Sequence, residues 1–190
     1  VSAIFISKEI MITLYTVDRG GYFDSGNTPH LTELNGTGLT ELDQYIQMLF
    51  PDGMSPHGHK YFFNSNSSVM KIDCSTELHL EMHRRAFHSH KPSRFTSLFA
   101  CQAIEECIVF RQKYGSARNP IYSFEIDEKD VHFGDMELLK AGCSTLAFSY
   151  HLDLYWSGES FCKYEPSHTP FYEVLVNLSM SSITNWKRCG

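Results

Sequence analysis

The 190 residues contain no CxxC pair, no GxGxxG or GxxxxGK motif, and no apolar run approaching the length of a membrane span. The six cysteines, Cys74, Cys101, Cys107, Cys143, Cys162 and Cys189, are scattered without zinc-type spacing, which excludes the common zinc modules and implies no resident metal. The missing glycine motifs exclude the usual cradles for a dinucleotide or triphosphate, and no segment reaches the ~18 residues that a spanning helix needs. Charge is also scarce. Charged residues make up 20% and the net charge is −6, so a general nucleic-acid binder, which needs a cationic face, is excluded. Only a local basic surface is expected, around Arg84, Arg85, Lys91 and Arg94, strengthened at lower pH by His88 and His90.

What is abundant is aromatic: ten Tyr and fourteen Phe, with 42% apolar residues, specify a folded, sheet-rich globular chain. A core of that kind does not need disulfides, so the cysteines read as free thiols in a reducing compartment. There is no repeat, heptad or low-complexity linker, and residues 1–190 read as one domain. The chain opens on Val1 instead of Met, which leaves a removed N-terminal signal open.

Runs of β-branched and aromatic residues predict strands at 1–6, 10–17 (IMITLYTV), 94–99 (RFTSLF), 121–126 (IYSFEI), 131–133, 146–156 (LAFSYHLDLYW) and 171–178 (FYEVLVNL). Short apolar patches lie at 61–63 and 69–72. Helical spacing occurs at 39–50 and from Ala103 to about Arg111, and less cleanly at 76–87, where Leu78, Leu80 and Met82 make an imperfect stripe. Residues 88–93 are polar, and Pro92 biases Lys91 away from helix. Strands and helices do not alternate regularly, so the reading is α+β with six to eight short strands and few helices, not a doubly wound sheet.

Three polar features interrupt these strands. Arg19 follows LYTVD and precedes Gly20–Gly21, where flexible backbone can approach an anion. Ser93, Arg94, Thr96 and Ser97 sit where a loop becomes strand and then helix. Glu173 lies within an apolar strand, where a carboxylate is edge-facing, paired or used in a pocket. Plainer roles stand beside each: a strand-end charge, a hydroxyl cap, a solvated arginine. Cys101 or Cys107 with His88 or His90 would suit a cysteine hydrolase, but Cys107 already fits a helix core; His57 and His59 lack further ligands at diagnostic spacing.

In order, Leu14-Tyr15-Thr16-Val17-Asp18-Arg19, Pro92-Ser93-Arg94-Phe95-Thr96-Ser97-Leu98-Phe99-Ala100 and Glu173-Val174-Leu175 resemble the ADP-ribosyltransferase superfamily, in its arginine–serine–glutamate class and a small uncharacterised bacterial branch, over roughly residues 12–178. The resemblance implies a split, bent mixed β-sheet with flanking helices that grips NAD between two small sheets. It implies Arg19 on the NAD phosphate or nearby ribose, and Ser97, with Ser93 or Thr96 as rivals, ordering the nicotinamide ribose. Glu173 would hold a ribose hydroxyl and stabilise positive charge as the nicotinamide bond breaks. Arg94 joins these in the cofactor-binding set, and Tyr15, Phe95, Phe99 or Tyr172 would stack on nicotinamide. Phe171 stands two residues before Glu173, where arginine-modifying members carry Glu or Gln, so the implied acceptor is a non-arginine side chain of a target protein. NAD hydrolysis or a non-catalytic interaction domain are the alternatives. A bacterial toxin or effector, cytoplasmic or secreted to act in a target-cell cytosol, follows from the same resemblance.

Overall fold

The computed structural model describes residues 10–23, 27–33, 38–63, 74–140, 142–179 and 182–189. The expected strand at 1–6 and the apolar patch at 69–72 lie outside them. Among the described residues six strands form two three-stranded sheets, one ordered β1 (Met11–Val17), β3 (Ile121–Asp127), β6 (Thr184–Cys189), the other β2 (Ser97–Ala100), β5 (Tyr172–Asn177), β4 (Val131–Asp135). The α+β split sheet is thus present, and its named ladders are all antiparallel. β1 and β2 meet at a single bridge, where Tyr15 and Cys101 exchange N–H···O bonds of 2.9 and 2.7 Å. Leu14 of β1, Phe124 and Ile126 of β3, and Val174 and Val176 of β5 share one buried cluster, so apolar packing holds the sheets together where the ladder stops.

The helices are α1 (Thr40–Leu49), a single turn α2 (Pro56–Gly58) running into a π-helical turn at His59–Phe63, α3 (Cys74–Phe87), α4 (Ile104–Tyr114) and α5 (Thr145–Ser157). Among the described residues none is long and apolar enough to cross a membrane. α5 replaces the strand expected at 146–156. Its apolar residues satisfy a period of two, but Phe148, Leu152, Tyr155 and Trp156 also fall at i, i+4, i+7 and i+8, and the last three are buried. The ends decide it. Ser144 Oγ accepts from the N–H of Ala147 at 3.2 Å, and Gly158 closes the helix with φ 79°. The expected strand at 94–99 begins instead as a 3₁₀ turn, Arg94–Thr96, because Ser93 Oγ accepts from the Phe95 N–H and starts a turn before β2 can begin. Strand β6, absent from the sequence reading, is polar and mostly exposed; it pairs with β3 through a register shift and carries Asn185 at φ 54°.

α3 inverts the expected stripe. Leu78, Met82 and Phe87 are exposed, while Glu77, Leu80 and Glu81 are buried, at 1%, 0% and 5% exposure. A second core cluster joins Leu80 to Leu152, Tyr155 and Trp156 of α5 and to Leu175 of β5; Trp156 Nε1 donates to the Leu80 carbonyl at 3.0 Å. β5 is therefore covered on both faces. Alternation sends Val174 and Val176 to the sheet-to-sheet cluster and leaves Glu173 and Leu175 on the helical side.

Gly134 of β4 is paired with Glu173, and a Cβ there would stand 2.3 Å from the Tyr155 ring. Gly134→Ala is expected to lower stability by about 1–3 kcal/mol through overpacking of that ring, read by urea unfolding; an unchanged midpoint would show that the ring does not rest on this strand.

Candidate functional site

Where β1 and β2 part, their ends frame a cleft. Thr16 Oγ1 still reaches across to the Phe99 carbonyl at 2.8 Å, but the chain then turns away at Asp18. The buried Asp18 carboxylate accepts the N–H groups of Gly20, Tyr22 and Phe23 at 3.0–3.1 Å, and this turn presents Arg19 at the rim. Arg19 is exposed, lies over the Phe110 ring at 5.2 Å and reaches the Tyr114 carbonyl at 3.5 Å. The cleft holds about 520 Å³ and is lined by Arg19, His57, Tyr61, Ser97 and Phe99 among others. An adjoining hollow of about 110 Å³ shares Arg19, His57, Tyr61 and Phe99 and adds Arg94 and Glu173. A third, about 30 Å³, is lined by Tyr15, Tyr172, Arg19 and Glu173.

Behind the inner hollow lies a buried ion network. Arg94, 2% exposed, grips Glu77 with both arms of its guanidinium, Nε to Oε2 at 2.8 Å and Nη2 to Oε1 at 2.9 Å. Its Nη1 donates to Glu173 Oε1 and, at 2.6 Å, to the Tyr155 hydroxyl. That hydroxyl in turn donates to Glu173 Oε1 at 2.6 Å. The guanidinium also lies over the Phe99 ring, 4.9 Å from its centroid. Burial alone would raise the Glu77 carboxyl, but the Arg94 guanidinium and then His57 overcome it and hold Glu77 well below the usual carboxylate range. Burial would lower Arg94, yet Glu173 and Glu77 keep it raised. The Tyr155 hydroxyl is pushed up, first by burial and further by Glu173, so it keeps the proton that it donates.

His57 completes the wall. Ser55, fully buried, donates to the Phe95 carbonyl at 3.0 Å and caps α2 through the Gly58 N–H, which fastens this turn onto the 3₁₀ turn that carries Arg94. The His57 ring packs on Tyr61 and Phe99 with centroids 4.5 and 4.4 Å away. Its Nε2 lies 3.1 Å from Glu77 Oε1 but is not aligned as a hydrogen bond. Burial lowers the imidazole pKa, against the pull of Glu77.

Arg19, Ser97, Phe99, Arg94 and Glu173 thus line one cleft and its inner hollow, with Tyr15 and Tyr172 beside Glu173. Ser93 and Thr96 do not join them. They line a different cavity, of about 470 Å³, with Arg84, Arg85 and Lys91. Ser93 Oγ is taken up by Glu81 at 2.8 Å, whereas Ser97 donates to the Ser93 carbonyl at 2.6 Å. Phe95 is buried against Phe50 and Phe62, a core residue and not a stacking surface. Arg94, whose plainer role is a solvated charge, is instead buried, with Nε, Nη1 and Nη2 all hydrogen-bonded. Cys101 and Cys107 are buried and form no disulfide, and His88 pairs with Asp153 at 2.9 Å. The sequence reading missed His57, Glu77 and Tyr155. The signal for Glu77 was its i, i+4 spacing to Glu81 on a helix whose apolar stripe was faulty; Tyr155 was hidden by the strand reading of α5.

Replacing Arg94 by Met leaves Glu77 and Glu173 buried without their cation and is expected to cost about 3–5 kcal/mol, measured by chemical denaturation. Because Glu77 is depressed in the folded state, its contribution is complete above its ordinary value of 4.5 and is lost as pH falls below it. An acid midpoint unmoved in the Arg94→Met protein would contradict this linkage.

Residues 22–186 match a family described as "Protein of unknown function (DUF2441)". No curated protein matches the chain. The match takes in His57, Glu77, Arg94, Ser97, Tyr155 and Glu173, and begins just after Arg19. Covering most of the sequence, it establishes that the chain belongs to the DUF2441 family.

Proposed function

We propose that the protein is an NAD-dependent mono-ADP-ribosyltransferase that moves ADP-ribose from NAD to a non-arginine side chain of a target protein and releases nicotinamide. The observation that carries this reading is that Arg19, Ser97 and Glu173, far apart in sequence, line adjoining hollows where two small sheets part. The cleft volume lies within the ~300–1,000 Å³ range of small-molecule sites. NAD supplies an activated N-glycosidic bond, whose electron pair leaves with nicotinamide.

In this reading each side chain has one task. Arg19, exposed at the rim, meets phosphate with a planar fork of donors. Ser97 positions the segment entering β2 through its bond to the Ser93 carbonyl. Glu173 offers its carboxylate to a ribose hydroxyl and to positive charge developing on the sugar, from a buried position where such an interaction is strong. Arg94 and Tyr155 both donate to Oε1 and so fix the position of that oxygen. Phe99 and Tyr61 supply apolar surface for a flat ring.

A hydrolytic variant of the same chemistry is favoured by position 171. Phe171 carries no group to activate an acceptor and lies under the Lys113 ammonium, 4.9 Å from the ring centroid. Water is then the acceptor. A non-catalytic binding domain draws its support from the burial of Glu173 within the ion network.

The test is incubation of the protein with labelled NAD and a whole-cell lysate, following nicotinamide release, free ADP-ribose and labelled protein. Glu173→Gln, which keeps an acceptor for Arg94 and Tyr155, should fold and bind NAD yet lose turnover by about 100-fold or more. Arg19→Ala should weaken NAD binding about tenfold with the fold unchanged. Free ADP-ribose as the sole product selects the hydrolase; absence of NAD binding to the intact protein overturns both readings.

A further inference from the structure

His83 lies in α3, His88 directly follows its last residue, and Asp153 lies on α5. One ligand atom from each falls within 4.8 Å of the other two. Asp153 Oδ1 is 2.9 Å from His88 Nε2 and 3.6 Å from His83 Nε2. An ion bound tetrahedrally at 2.0–2.1 Å would separate its donors by about 3.3 Å, and the two observed distances bracket that value. We propose that His83, His88 and Asp153 bind one divalent transition-metal ion of the zinc type.

A plain histidine–carboxylate pair needs only His88 and Asp153, and it leaves a second imidazole unexplained. The His83 and His88 rings stand face to face, 5.8 Å apart and 23° from parallel, with both Nε2 atoms near the same carboxylate oxygen. His83 Nε2 is buried and has no aligned hydrogen-bond partner among the described residues. A buried nitrogen in that state is costly unless something occupies its lone pair. Nitrogen and oxygen donors in this ratio suit Zn²⁺, Co²⁺, Ni²⁺ or Cu²⁺ over Mg²⁺ or Ca²⁺. The half-exposed Asp153 side chain leaves the site open to solvent, so water can complete the coordination.

The position gives the ion a consequence. α3 carries Glu77 and α5 carries Tyr155, the two helical supports of the Arg94–Glu173 network. A metal bridging His83, His88 and Asp153 fastens the same two helices from the outer side. This holds whether or not the cleft turns over NAD.

The experiment titrates metal-free protein with zinc chloride by calorimetry and with Co²⁺ by visible absorption, alongside thermal unfolding. Asp153→Asn and His83→Gln are compared with His151→Gln, which removes a neighbouring thiol–imidazole pair formed with Cys143. The expected result is one ion per chain and tetrahedral Co²⁺ bands. Affinity should fall more than about 100-fold in the two site variants, beyond the 10–100-fold typical of losing an outer-shell partner, and stay unchanged in His151→Gln. Zinc should also raise the Tm of the intact protein and not that of Asp153→Asn. No binding by the intact protein, or equal binding by Asp153→Asn, would overturn the proposal.

Discussion

Arg94 is a cation buried to 2% exposure between two carboxylates, and the placement of four separate segments depends on it. Glu77 comes from α3, Tyr155 from α5, Glu173 from β5, and the Arg94 turn is itself pinned to α2 through Ser55. Desolvating three ionised groups costs several kcal/mol each, and their mutual attraction offsets this only when every donor and acceptor is engaged. Such a network adds little net stability but tolerates few arrangements. It therefore acts as a fixture for position, and the group it positions at the cavity wall is Glu173.

The cleft follows from how the sheets are joined. A continuous ladder between β1 and β2 would close the gap, but only Tyr15 and Cys101 pair; beyond them Thr16 spends its hydroxyl on the Phe99 carbonyl and Asp18 turns the chain with its own carboxylate. Apolar packing through Leu14, Phe124, Val174 and Val176 supplies the cohesion that the missing ladder does not. An exposed arginine, a buried carboxylate and aromatic walls are thus brought to one opening without a glycine-rich phosphate loop, in a chain of the DUF2441 family.

Much of the frame was legible in the sequence because it is locally encoded. β1, β3 and β5 are β-branched and aromatic runs, and α1 and α4 show their periods plainly. α5 was misread because LAFSYHLDLYW satisfies both periods, and the discriminating signals, Ser144 and Gly158, lie outside the run. β6 was missed because an exposed edge strand such as TNWKRC carries no apolar alternation. Arg19, Ser97 and Glu173 stood out as polar residues at or within strands. Glu77 did not, because a glutamate on a helix reads as solvent-facing unless its buried partner, here Arg94, is known. That Ser97 opens onto the cleft while Ser93 and Thr96 line another cavity also required three dimensions, since these residues are neighbours in sequence.

The central claim is that the opening between the two sheets holds NAD with its nicotinamide end toward Glu173. A crystal structure of the Glu173→Gln protein with NAD tests it most directly. The account predicts the nicotinamide ribose within hydrogen-bond reach of residue 173 and a phosphate beside Arg19. NAD seated in the cavity of Ser93 and Thr96, or a cleft still empty at saturating NAD, would contradict it.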